Sequence, residues 1–131
     1  MLFRSKKLNN TKLNNIIIVS AILARYGAKG HQIYSASKAA LDGLMRSLAV
    51  ELAPRIKVNS ILPGGVKTPL TIKTFEDPDI LRKAILEYPL GLGTTSDISN
   101  VVQFLISDSS RWITGQEIVV DGGRTINISH K

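Results

Sequence analysis

The chain contains no cysteine, so disulfide staples and thiolate metal sites are both excluded, and no metal site of any kind is expected. That composition suits a reducing compartment. Aromatic residues make up only 5% of the 131 positions and are not interleaved with the bases, which leaves nucleic-acid binding without support. No apolar run approaches the roughly 20 residues needed to span a bilayer, and no membrane partner is expected. The longest run, Ile16-Ile17-Ile18-Val19, has the length of a strand. Acidic residues are missing from positions 1–41, which carry seven bases, whereas the remaining 90 positions carry ten bases and ten acids. The sequons at Asn9 and Asn127 have no meaning without a secretory signal, and no internal repeat is visible.

What is present is ample apolar material. At 44% apolar the chain can build a packed core, and its length fits one domain or a piece of one. The net charge of +7 therefore sits at the amino-terminal end. A targeting peptide would have that character, and so would a docking surface for an anionic partner. The favoured reading is the solvated end of a helix and a polar loop, with the docking surface second.

Residues 1–15 are polar and Asn-rich, with a short helical tail expected near Leu2 to Leu8. Ile16 to Ser20 is β-branched and apolar, as a strand buried on both faces of a parallel sheet should be. A loop with Gly27 and Gly30 leads to a helix expected from about Gln32 to Ala53, stopped by Pro54. Ala36, Ala39, Ala40, Gly43 and Ser47 put small residues along one side of it, while Leu41, Leu44, Leu48 and Leu52 supply larger contacts. Arg55 to Leu62 reads as a second strand ending at Pro63-Gly64-Gly65, which completes a βαβ crossover. A helix is expected from about Asp79 to Glu87, and another after Ser96 as N-cap with Asp97 in its first turn. Glu117 to Val120 is the last strand. The class is α/β.

Tyr34 and Lys38 stand out within the first helix. Residues four apart share a helix face, and a nearby ammonium favours the phenolate form of a tyrosine. That arrangement suits a phenol that exchanges a proton with a carbonyl or alcohol oxygen near neutral pH. Of the three tyrosines only Tyr34 has a lysine at plus four. On spacing alone, such a pair is commonly a solvated surface contact.

The surrounding residues carry more. Ile16 to Ser20, Tyr34-Ser-Ala-Ser-Lys38, Val58-Asn59, Pro63-Gly64 with Thr68-Pro69, Pro89-Leu-Gly and Ile113 to Gly123 follow one another in order. Together they make the chain resemble the C-terminal half of a short-chain dehydrogenase/reductase, most closely the 3-oxoacyl-(acyl-carrier-protein) reductase branch. The resemblance covers about residues 13 to 123. It implies half of a Rossmann-type doubly wound parallel sheet, about three strands with crossover helices, the first half being absent. One partial domain over 1–131 is expected. Its parts are a lead-in (1–15), strand–helix–strand (16–65), a substrate lid (66–90), the last helix and strand (91–123), and a tail (124–131).

The resemblance also implies roles. Tyr34 would be the acid/base, and Lys38 would support it and hold the nicotinamide ribose. Pro63 and Gly64 would line the nicotinamide pocket, at the carboxyl ends of the strands where open α/β sheets bind ligands. The Val66 backbone and Thr68 would hold the carboxamide or a nearby phosphate. The cofactor implied is nicotinamide, NADP(H) favoured over NAD(H), although the residues that choose lie upstream. Lys12 and Arg55 stand where that branch meets its acidic acyl-carrier protein, and two plain surface bases is an equal reading. The implied substrate is a 3-oxoacyl thioester, and the Tyr34–Ala53 helix would serve homo- or hetero-oligomerisation. The implied compartment is cytoplasm or mitochondrial matrix, not a secreted one.

Two departures matter. The family's catalytic serine lies thirteen residues before the tyrosine, and here that position is Ala21. Ser20 could substitute only if the strand end twists or bulges, because neighbouring strand side chains face opposite ways. Nor does anything resemble the Gly-rich turn that cradles the dinucleotide pyrophosphate. The chain is therefore expected to begin within the domain, to be inactive alone, and to leave the Ile16 to Val19 strand on an open edge. Three rivals remain: a non-catalytic dimerisation or regulatory fragment, a truncated record of a protein about twice as long, and a reductase of another ketone or sugar.

Overall fold

The computed structural model describes residues 13–128. The helical tail expected near Leu2 to Leu8, and Lys12, lie outside them. Three parallel strands form one sheet in the order β1 (Asn15–Val19), β2 (Lys57–Pro63), β3 (Glu117–Val120). Helix α1 (Gln32–Leu52) makes the crossover from β1 to β2, and α2 (Ile72–Phe75), α3 (Pro78–Glu87) and α4 (Thr95–Ile106) intervene before β3. Short helix α2 had no sequence signal in the Pro-punctuated stretch that holds it.

Register explains the core. Ile16 pairs with Val58 and Ile18 with Ser60, so alternation sends these four side chains to the same face. Against that face α1 lays Met45 and Ala49, which with Ile56 and Val58 form the fully buried cluster, flanked by Leu13, Leu48 and Leu52. Burial of each large side chain here contributes roughly 2 kcal/mol. The inward face of α1 thus runs through Asp42, Met45 and Ala49, whereas Leu44 is half exposed on the outer side. Central β2 is buried from Val58 to Leu62, as a parallel strand covered on both faces must be. β1 is an edge strand of the described sheet, with the residues of β2 on one side only.

Local signals set the helix ends. Asp77 caps α3 by accepting from the N–H of Asp79 and Ile80, with Pro78 at the first helical position. For α4 the N-cap is Thr94 and not Ser96. Thr94 and Asp97 form a reciprocal capping box, and the bonds from the Thr94 N–H and hydroxyl hold the Asp97 carboxyl below its usual range. At the other end of α4, Lys57 Nζ donates to the carbonyls of Leu105 (3.2 Å), Ser107 (3.3 Å) and Ser110 (3.2 Å) and to Ser110 Oγ (2.8 Å). Buried Asn59 clamps the approach to β3, donating to Ile113 O and accepting from Gln116 N–H. These two β2 side chains fix where β3 enters the sheet.

Candidate active site

The carboxyl ends of β1 and β2 open into a cleft of about 590 Å³. Val19, Ser20 and Ala21 form one wall, Tyr34 and Lys38 of α1 a second, and the segment after β2 from Pro63 to Thr68 the floor. Phe75 of α2 and Ile98 and Val102 of α4 close it with apolar surface. A helix α1 that begins at Gln32 brings Tyr34 to its first turn, at the mouth of the cleft, where the ring is 45% exposed. Lys38, one turn on, places Nζ 5.6 Å from the Tyr34 ring centre and donates from it to Val19 O at 3.2 Å. The lysine therefore links α1 to the end of β1.

Ser20 and Ala21 point to different places. The Ser20 hydroxyl is buried against α1, within hydrogen-bond distance of Asp42 Oδ2 (3.1 Å) and Lys38 O (3.2 Å). It follows the alternation of Ile16 and Ile18, whose face is that of α1. The strand neither twists nor bulges enough to turn it round. Asp42 was not singled out by sequence, although it stands four residues beyond Lys38 on the same helix face.

The floor segment is pinned by its own backbone. Gly64 N–H donates to Val120 O (3.0 Å), Lys67 N–H to Gly93 O (2.9 Å) and Thr68 N–H to Thr71 Oγ1 (2.9 Å). Gly65 N–H donates to the Tyr88 hydroxyl at 2.8 Å. Among the described residues, the Val66 N–H alone of these five has no acceptor. The Val66 carbonyl accepts from Thr71 Oγ1 at 2.6 Å, and the Thr68 and Thr71 hydroxyls lie 3.0 Å apart. Glycine is required at two points here. A Cβ on Gly64 would meet Asp121 Cα and Cβ at 2.9 and 2.8 Å, and one on Gly65 would meet the Tyr88 oxygen at 2.9 Å.

Eight of the ten residues expected from sequence thus wall one cleft: Tyr34, Lys38, Ser20, Ala21, Pro63, Gly64, Val66 and Thr68. Arg55 stands apart, exposed in the turn between α1 and β2. No group of three or more His, Asp or Glu among the described residues is placed to hold a metal, and no described helix is long and apolar enough to cross a membrane.

Three parallel strands joined by crossover helices, with a cleft at their carboxyl ends, define an open α/β protein of the doubly wound, Rossmann-like class. Comparison with known proteins narrows this. A family model described as Enoyl-(Acyl carrier protein) reductase matches residues 3–125. The chain is 41% identical over 115 residues to the 3-oxoacyl-(acyl-carrier-protein) reductase of Thermotoga maritima, covering 86% of this chain and 46% of that protein. It is 35% identical over 116 residues to the 2,5-dichloro-2,5-cyclohexadiene-1,4-diol dehydrogenase of Sphingobium indicum, covering 87% of this chain and 46% of that one. The structure of a 4-hydroxyisoleucine dehydrogenase mutant complexed with NADH and succinate superposes with a TM-score of 0.85 at 32% identity, covering 91% of this chain and 50% of that one. The chain belongs to the short-chain dehydrogenase/reductase family. It spans about half the length of the curated relatives it matches.

Proposed function

We propose that this chain forms the Tyr/Lys half of an NAD(P)H-dependent carbonyl reductase acting on 3-oxoacyl thioesters. The observation that carries it is the cleft in which Tyr34, Lys38 and the unengaged Val66 N–H meet at the carboxyl ends of β1 and β2. That amide is a donor of the kind a nicotinamide carboxamide oxygen requires, while Lys38 supplies a cation and Pro63-Gly64 a close-approach floor. A bound nicotinamide supplies the hydride that reaches the carbonyl carbon. Tyr34 delivers its phenolic proton to the carbonyl oxygen, so the ketone becomes a secondary alcohol. Lys38 holds the ribose side of the cofactor and keeps positive charge beside the phenol. NADPH is preferred to NADH on the likeness to acyl-carrier-protein reductases, and an acyl-carrier protein is the partner for Arg55 and Lys12. The exposed small-residue face of α1, Ala36, Ala39, Ala40 and Ser47, supports packing against another subunit. Cytoplasm or mitochondrial matrix is the compartment proposed.

Ala21 leaves the developing oxyanion with Tyr34 as its donor and no hydroxyl from the strand. Ser20 does not replace it, because its hydroxyl is engaged by Asp42 and Lys38 O. Loss of one such donor costs about 10²–10³ in rate. The test is NADPH oxidation, with acetoacetyl thioester against a panel of ketones, by the protein isolated from its source cells. Turnover abolished by Tyr34→Phe and raised about 10²-fold or more by Ala21→Ser supports the reading. Unchanged turnover in both variants refutes it. Ala21 also favours a second reading, a non-catalytic subunit that associates through α1. Absence of turnover with retained self-association would decide for that one.

A further inference from the structure

Tyr88 has no role in the reading above, yet it touches the floor of the cleft from beneath. It caps the end of α3, where its N–H donates to Ala84 O, and its half-buried ring passes under Gly64 and Gly65. The Tyr88 oxygen accepts the Gly65 N–H at 2.8 Å and fills the space a Gly65 side chain would need. On its far side the ring reaches Gly122 in the turn after β3, and Tyr88 O accepts from Gly91 N–H. The side chain thus bridges the floor and the turn after β3, while the Tyr88 backbone holds the Gly91 turn.

We infer that Tyr88 is a positioning residue, whose hydroxyl holds Gly65 N–H so that Val66 N–H is the donor the floor presents to the cleft. Two adjacent amides in a loop compete for one incoming carbonyl oxygen, and a loop that can rotate offers either. Here Gly64, Gly65, Lys67 and Thr68 all have internal acceptors; two of these are side chains, and whereas Thr71 is a near neighbour of Thr68, Tyr88 reaches Gly65 from 23 residues away. Burial pushes the Tyr88 phenol up, which outweighs the lowering by the Gly65 bond and Arg124, so the oxygen stays a neutral acceptor. Nothing in the sequence pattern marks this tyrosine. The inference rests on the proposed carboxamide contact for its purpose, but its geometry does not.

The test uses the full 131-residue chain, labelled with nitrogen-15, with Tyr88→Phe as a near-isosteric change. Amide hydrogen exchange reads each N–H separately. Loss of one neutral hydrogen bond should speed Gly65 exchange by about five- to tenfold, with Gly64 and Lys67 unchanged. NADH added to the parent chain should move the Val66 amide resonance, and that movement should fall by at least about half in the variant. Unchanged exchange at Gly65 overturns the inference, and so does equal acceleration at all three amides, which would make Tyr88 a packing residue only. If NADH moves no amide in the parent, the cofactor reading of the cleft fails. The exchange comparison then decides the role of Tyr88 by itself.

Discussion

Replacing Lys57 by Met should cost about 2–3 kcal/mol of stability. The ammonium meets three carbonyls and one hydroxyl at the carboxyl end of α4. Three N–H donors cannot serve four acceptors singly, so at least one bond is shared. A hydrogen bond to a charged group contributes roughly 1.5–3 kcal/mol, and a cation at a helix carboxyl end adds about 0.3–1 kcal/mol. Part of the loss is offset, because the single Ser110 hydroxyl proton lies within reach of both Leu105 O (2.7 Å) and Ser107 O (3.0 Å), so one of those carbonyls keeps a partner. Methionine preserves the apolar stem, which isolates the charge and its bonds from packing. The assay is urea unfolding of the chain and its variant. With a slope of about 2 kcal/mol/M, the midpoint should fall by about 1–1.5 M at unchanged slope. A loss below about 0.5 kcal/mol would refute the claim that Lys57 anchors α4 to the sheet, placing it instead with surface cations.

Two further outcomes follow from buried or tethered polar groups. Ser60 is fully buried and its hydroxyl has no partner among the described residues, so Ser60→Ala should raise stability by about 1 kcal/mol, measured by the same unfolding assay. Burial pushes the Asp121 carboxyl up, but bonds from Thr125 N–H and hydroxyl and from Gly123 N–H outweigh it and hold the group below its ordinary 3.8. The folded form therefore binds the proton less well than the unfolded chain. Its contribution is complete above that ordinary value and disappears as pH falls through the folded one. The thermal unfolding midpoint should therefore fall below about pH 4, and Asp121→Asn should flatten that slope; an unaltered slope would remove Asp121 from the account.

The sequence was most legible where periodicity and breakers agree. β3 was expected at Glu117 to Val120 and lies there, and α1 ends at Leu52, one residue before the expected Ala53, because Pro54 cannot continue a helix. The Tyr34/Lys38 spacing was readable on its own, whereas the place of Pro63 and Gly64 beside that pair came from the family resemblance. What was not readable depended on partners far away in sequence. That Ser20 turns its hydroxyl away from the cleft follows from strand alternation, yet the partner that holds it is Asp42, a residue whose burial no local pattern announces. The inward face of α1 was misjudged at Leu44 because a row of leucines looked more apolar than Met45 and Ala49, while the sheet surface selects by geometry. Ser96 was expected to cap α4, but the cap is Thr94, because Asp97 completes a box with it. Tyr88 reaches Gly65 only through tertiary structure.

The parallel register has a kinetic consequence. Asn15 finds Lys57, and Ser60 finds Glu117, so every rung of the sheet closes a loop tens of residues long before it returns any contact. Helix α1 needs no such closure, and its 21 residues can form early from local bonds. Tyr34 and Lys38 therefore share a face before there is a cleft for them to face. The wall that Ala21 and Val66 supply arrives with the slow pairing of strands. Completion of the site and completion of folding are, in this chain, the same late event.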